Sequence, residues 1–554
     1  MIEHEVVIVG GGPAALAAAV AAGQAGGAAI VSKVHPLRFL SGEAQSDLAA
    51  ALGRATEDGW QEHLRDTLEA GCGLCDEQAA ASVTREAIGA VIALEHQGML
   101  FARNAQGRIA QRALPGHKVA RGCHYGDLTG KALIETLWGQ TVRLGVRAYT
   151  DYYSLALLLH EDGLCGLMAW DLLHGGLVQF RAKAVVLAGG GMGDAWRTTS
   201  NPVWATGEAL WLGARAGAAL RDMEFVVFRP VLGGEVRLAI SDAALGLGAS
   251  LRTSEGERLL PQASSETSET APPEVIAAAI AVAQERGLSV QVDFRHLDGA
   301  VVTAQLPRLC EAAARFFGAD LARTPIPIRL GAHFLVGGLW VNAEGAAMTR
   351  DARPIPGLFA AGECASTGAH GASLLAGNAL AEAVVTGARA GASARAHASQ
   401  AQFASPPPAA VEAVEEQIRE ASERPRAEKS GVIRRETQEA MSAACGPLRC
   451  AQGLTHCAAR LRSLRQALHQ AGVPVGVERC NVPLVSLLET EQMLTVAEVV
   501  VTRALAREES RGLHQRTDCP ERDEAGFGGH TLAALTEQAV QVAQAPLEKG
   551  AEAG

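Results

Sequence analysis

Aromatic side chains make up only 4% of the 554 residues, and no apolar run approaches the ~18 residues that a membrane-crossing helix needs. Nor is there a basic block: 49 lysines and arginines face 60 acidic residues, for a net charge of −11. A surface of that sign repels phosphate backbones and anionic headgroups, so neither nucleic acid nor direct membrane insertion is expected. No cationic leader precedes the first apolar run, VVIVG. A secretory signal is therefore not expected, and a cytoplasmic location is the default, peripheral to a membrane only through a partner. Eleven cysteines scattered over this length do not make a disulfide framework. Cys72-Gly-Leu-Cys75 stands alone as a CxxC; zinc or iron–sulfur ligation normally takes four ligands, so no metal is expected.

What the chain has in quantity is glycine, 61 residues, together with alanine. Such a composition suits α/β layers in which backbones approach closely. The length implies several domains. Residues 5–31 read as strand, Gly-rich turn, helix, strand; AVVLAGGG (184–191) and GLFAAGE (357–363) are two more buried strands. The three are expected to converge on one nucleotide site. The expected fold is α/β: a Rossmann-like nucleotide-binding domain (1–230 plus 333–398) with an inserted α+β capping domain (231–332). A Pro-rich linker (399–413), a helical domain (414–515) and a C-terminal region (516–554) follow, the last read as a polar turn and a short helix. The stretch PQASSETSETAPPE reads as a polar loop within the cap.

The first turn carries the chemistry. Gly10-Gly-Gly12-Pro-Ala-Ala15 follows a strand and opens a helix. Gly10 permits the tight turn, Gly12 lets a pyrophosphate approach the backbone, and Ala15 stands at the strand–helix contact. The helix N-terminus offers free N–H groups and a positive dipole. The alternative is a tight strand–helix turn with no ligand. Where a nicotinamide enzyme carries an acidic residue at the end of the second strand, this chain has Ser32.

Over nearly its whole length the sequence resembles the flavoprotein subunit of succinate dehydrogenase and fumarate reductase. SKVHPLR, EAQSDLAAALG, RGCHYGDLTGKAL, DMEFVVFRP, GAHFLVGGL, PGLFAAGECAS and HGASLLAGNAL occur in that family's order. The resemblance implies FAD, with Gly10, Gly12 and Ala15 at the pyrophosphate and Ser32, Lys33 and Gln45 along the cofactor. It implies Glu208 where the family has Asp, Glu363 at the ribityl or ribose hydroxyls, and His370 near the flavin. Ala379 and Leu380 would begin the helix whose dipole faces the flavin pyrimidine. An iron–sulfur subunit is the implied partner, and a small molecule the substrate.

The reacting end departs from the family. Leu40 replaces the histidine of the covalent flavin link, so noncovalent FAD is expected. The proton-shuttle arginine aligns with Leu245, the glutamate of its motif with Leu247, and the carboxylate-clamping arginine with Leu374; leucine transfers no proton at any pH. A carboxylate-binding histidine is replaced by Arg229, and a Thr-Glu pair by Ser241-Asp242. His333 remains. The catalytic candidates are therefore His333, Arg229 and Asp242. Arg229 reads equally as a new carboxylate anchor or a solvated hinge arginine, and Asp242 as a base or a structural residue. Three functions stay open: an FAD oxidoreductase for a more apolar or singly charged substrate, a divergent dicarboxylate enzyme, and a catalytically silent FAD-binding or relay subunit.

Overall fold

The computed structural model describes residues 1–38, 46–53, 58–161, 163–260, 270–473, 479–536 and 540–545. Gln45 and Leu40 lie outside the described residues, as does most of the PQASSETSETAPPE stretch.

The three apolar strands read from the sequence lie side by side. Ile2–Val9 pairs in parallel with Ala28–Ser32 on one side and Leu177–Leu187 on the other, and Pro354–Ala360 pairs in parallel with Leu177–Leu187. Arg147–Thr150 extends the sheet beyond Ala28–Ser32. Buried on both faces, the strands read as continuous Val/Ile/Leu runs with little alternation. Helices Pro13–Gly23 and Asn378–Gln400 cross over this sheet at a contact made by small residues. A Cβ on Gly387 would lie 2.4 Å from the carbonyl oxygen of Ala14, and one on Gly391 2.3 Å from that of Ala18. The alanines and glycines thus let two helix backbones touch where they close over the strand ends.

The cap sheet is wider than the expected insertion. Val226–Leu232 pairs with Ile326–Leu335, which pairs with Val290–Asp293 and through it with Ser250–Thr253. Its two hinge strands begin before residue 231 and end after 332, because their pairing runs from Val226 to Leu232 and resumes past a register shift at His333. Helices Pro408–Glu423, Ser430–Ala444, Ala451–Leu468 and Val482–Ala506 form the helical domain. Among the described residues no helix is long and apolar enough to cross a membrane.

The C-terminal region differs from expectation. After a one-turn helix, Glu524–Phe527, comes an antiparallel strand pair, His530–Leu535 with Val540–Ala545, docked on Leu220–Arg221. VQVAQA pairs with His530–Leu535 over all six residues, although its apolar and polar residues do not alternate with a period of two.

His530 locks this strand down. Its Nδ1 lies 2.6 Å from Asp222 Oδ2 and its Nε2 3.0 Å from Asp76 Oδ1. Burial disfavours the imidazolium, but the Asp222 carboxylate outweighs it and the pKa is held up to about 9. A histidine whose pKa rises on folding adds stability below about pH 6.5 that is lost as pH rises through its folded value. The thermal midpoint is therefore expected to fall between pH 7 and pH 9.5, and His530→Gln to flatten that slope; an equally steep slope in the variant would exclude His530 as its source.

Candidate functional site

Where the strand ends, the two crossing helices and the cap hinge meet, they enclose a cavity of about 180 Å³. Backbone forms much of its wall: Gly12, Gly189, Gly190, Gly191 and Gly362 line it, with Glu363, His333, Ala379 and Leu380. Glu363 is fixed by the N–H of Leu335, 3.0 Å from its Oε1. A Cβ on Gly191 would lie 2.1 Å from that same oxygen, so the glycine is what lets the carboxyl lie flat on the turn. Burial pushes the Glu363 pKa up to about 7, against the pull of the Leu335 and Gly191 N–H groups. A buried carboxyl with capacity left to bind a hydroxyl suits the sugar-like chain of a dinucleotide.

The first helix opens on this cavity without a side-chain cap on its N–H groups and with Pro13 at its first position, an arrangement that leaves donors for a pyrophosphate. Gly10 and Ala15 sit behind the wall. Gly10 packs on the backbone of Ala188, and Ala15 is fully buried in the helix–sheet contact. The Ser32 hydroxyl donates to the carbonyl of Val34. Ser46, next to the undescribed Gln45, lines the cavity.

Three residues expected on the cofactor have their side chains engaged elsewhere, and none lines this cavity. Lys33 Nζ is 2.6 Å from Glu489 and 3.1 Å from Glu208, with the Trp204 carbonyl at 3.2 Å. A buried ammonium requires such compensation: Glu208 supplies it from the same domain, and Glu489, on helix Val482–Ala506, ties Lys33 to the helical domain. Arg434 extends the chain from Glu489 to Asp194. His370 is 2.7 Å from Glu382, whose other oxygen accepts from Thr367. Neither partner carries a motif: Glu489 lies 456 residues beyond Lys33, and Glu382 lies 12 beyond His370 within a small-residue helix.

His333 reaches the cavity from the cap hinge. Ser200 Oγ lies 2.7 Å from its Nδ1, and Asn201 Nδ2 donates to its carbonyl. Burial, helped by the positive field of Arg229, pushes its pKa down to about 3, so the ring is neutral at physiological pH. Ser200 and Asn201 escaped the sequence reading because they carry no motif of their own.

A second cavity of about 170 Å³ adjoins the first, lined by Arg229, Glu274, Ser373, Leu374, Leu375 and Cys72, among others. Phe334 and Ala379, on the first cavity's wall, pack in one apolar cluster with Leu374 of the second. Arg229 is buried, not solvated, and its Nη1 lies 2.6 Å from Asp242 Oδ1, close but out of line for a hydrogen bond. Asp242 begins the one-turn helix Asp242–Gly246, capped by Ser241. Leu245 faces the cap's own core with Leu232, Leu251 and Val292. Cys72 and Cys75 are neutral thiols, pushed up to about 11 and about 12 by burial. Among the described residues no group of three or more His, Cys, Asp or Glu is placed to hold a metal.

This geometry, a glycine-walled cavity at parallel strand ends with an inserted cap over it, agrees with the sequence comparisons. Residues 5–380 match the FAD binding domain profile, and residues 434–551 match the fumarate reductase flavoprotein C-terminal profile. The fumarate reductase flavoprotein subunit of Mycobacterium tuberculosis is 33% identical over 529 residues, 91% of this chain and 89% of that one. The chain belongs to the succinate dehydrogenase and fumarate reductase flavoprotein family. The succinate dehydrogenase flavoprotein subunit of Coxiella burnetii is 32% identical over 524 residues, with the same coverages of 91% and 89%. An E. coli quinol fumarate reductase structure superposes with a TM-score of 0.93 at 30% identity, covering 99% of this chain and 97% of its own. As a member of this family, the protein is an FAD-dependent flavoprotein with the family's fold throughout.

Proposed function

We propose that this flavoprotein holds FAD without a covalent bond and acts on a substrate other than a C4 dicarboxylate. FAD, when bound, supplies two-electron redox chemistry; Gly12, Glu363, Ala379 and Leu380 are the residues that would hold it. The observation that carries the reading is the pairing of Arg229 with Asp242. The cation on the second cavity's wall is already neutralised, and where the family places a second arginine the wall is Leu374. A dicarboxylate entering there buries charge against leucine without a partner, which is heavily penalised. With Leu245 inside the cap core, the family's proton shuttle is missing as well. Loss of acid–base assistance alone is worth roughly 10²–10⁴ in rate.

The relatives are named as subunits, and we infer the same of this chain, with an iron–sulfur protein as the partner that the family resemblance implies.

Acid precipitation tests the cofactor linkage: the yellow colour is expected in the supernatant, and colour retained in the pellet would show a covalent bond. Succinate oxidation with an artificial acceptor, and fumarate reduction with a reduced viologen, are expected to run at least about a thousandfold below ordinary family members. Turnover at the ordinary rate in either direction would refute the proposed change of substrate.

A further inference from the structure

We propose that the second cavity binds a small molecule carrying one ammonium-type cation on an apolar body, and that Glu274 receives the cation. The inference rests on the flavoenzyme reading above, because it places the ligand beside the cofactor cavity.

The charges around the cavity are accounted for one by one. Asp66 is bound by Arg121, whose Nη1 donates to it, and Glu69 lies 2.7 Å from Lys118. Arg229 has Asp242. Glu274 differs: its Oε2 accepts a 2.8 Å hydrogen bond from the hydroxyl of Ser373, and among the described residues no cation lies within ion-pair distance of it. Glu274 stands in the first turn of helix Pro273–Glu285, where Pro273 and the chain's entry into the helix fix its direction. Ser373, fully buried, sets its rotamer. Around it the wall is apolar: Ala271, Pro272, Leu374 and Leu375.

A carboxylate in such surroundings is costly unless a counter-charge completes it. Burial accordingly raises the Glu274 pKa, opposed by its own N–H, by Ser373 and by the distant field of Arg229. An ammonium group supplies the missing counter-charge, and the apolar wall accepts the rest of the molecule. A dicarboxylate does the reverse, adding two negative charges beside Asp242 and Glu274.

The test uses the FAD-loaded protein at pH 7.5, titrated with butylamine, butyrate and succinate. Binding is read by calorimetry and by perturbation of the visible flavin band. Butylamine is expected to bind saturably and at least tenfold more tightly than either acid. Glu274→Gln is expected to lose at least tenfold in butylamine affinity at unchanged flavin content and melting temperature, and Glu274→Asp to recover part of it. The proposal is overturned if butylamine gives no saturable heat, if either acid binds more tightly, or if Glu274→Gln binds butylamine as the parent does. A colourless protein would instead refute the flavoenzyme reading, and calorimetry on that protein still reports on the cavity by itself.

Discussion

Gly10→Ala is expected to yield a colourless and largely insoluble protein. Gly10 ends the first strand with φ at +123°, a region where a side chain costs about 1–2 kcal/mol. The larger effect is steric. A Cβ there would lie 2.2 Å from the carbonyl oxygen of Ala188 and 2.7 Å from its carbonyl carbon. Both atoms are backbone and cannot rotate away. Relief requires moving apart two strands that are in register at Val9 and Leu187, and overpacking of this kind costs about 1–3 kcal/mol more. The displacement falls on the Ala188–Gly191 wall of the cofactor cavity, so binding and folding are lost together. Gly26→Ala is the control: φ is +78°, no atom would meet the new Cβ within 4 Å, and only the cost of the left-handed backbone, about 1 kcal/mol, is expected. The ratio of visible to ultraviolet absorbance of the purified protein decides the matter. Stoichiometric flavin in Gly10→Ala would sink the argument.

Arg507→Met is expected to destabilise the C-terminal region by about 3–5 kcal/mol, the usual consequence of removing one partner from a buried ion pair. Arg507 Nε is 2.7 Å from Glu224 and its Nη1 2.6 Å from Glu509, all with fully buried side chains. It also donates to the carbonyls of Phe527 and Gly529, just before the final strand pair. Glu509 keeps Arg511 as a partner, but among the described residues Glu224 is left with the Thr531 hydroxyl as its side-chain donor. The loss should appear as faster amide exchange in residues 530–535 and a lower urea midpoint. Adding Glu224→Gln should restore part of it, because the stranded charge is then gone. Exchange at the parent rate in both variants would show that the network contributes little.

The nucleotide half was legible because its signals are local. A strand, a Gly-rich turn and a small-residue helix dictate one another over about thirty residues, and the collinear motifs extend the fold to the whole chain. The strands His530–Leu535 and Val540–Ala545 were misread as a short helix because the sheet they join, at Leu220–Arg221, is remote in sequence. The same remoteness hid the fates of Lys33 and Glu208: nothing near either one announces Glu489. Arg229 shows the limit most plainly. Its residue type allowed an anchor or a solvated arginine, and only the fold places Asp242 beside it. Glu274 was not singled out at all, since one glutamate at the start of a helix is an ordinary sight until a cavity opens in front of it.

The closure made by His530 on Asp222 spans 308 residues of chain, and this has a consequence for the order of events during synthesis. The sheet that begins at Leu220 waits for a strand translated after both the cap and the helical domain. Lys33, held by Glu489, waits almost as long. The first Gly-rich turn emerges early, and the residues that line its cavity, from Gly12 to Ala383, all precede the helical domain in the chain. A ribosome stalled in the helical domain would thus display a cavity whose wall is already translated beside a sheet at Leu220 that still lacks its last partner strand.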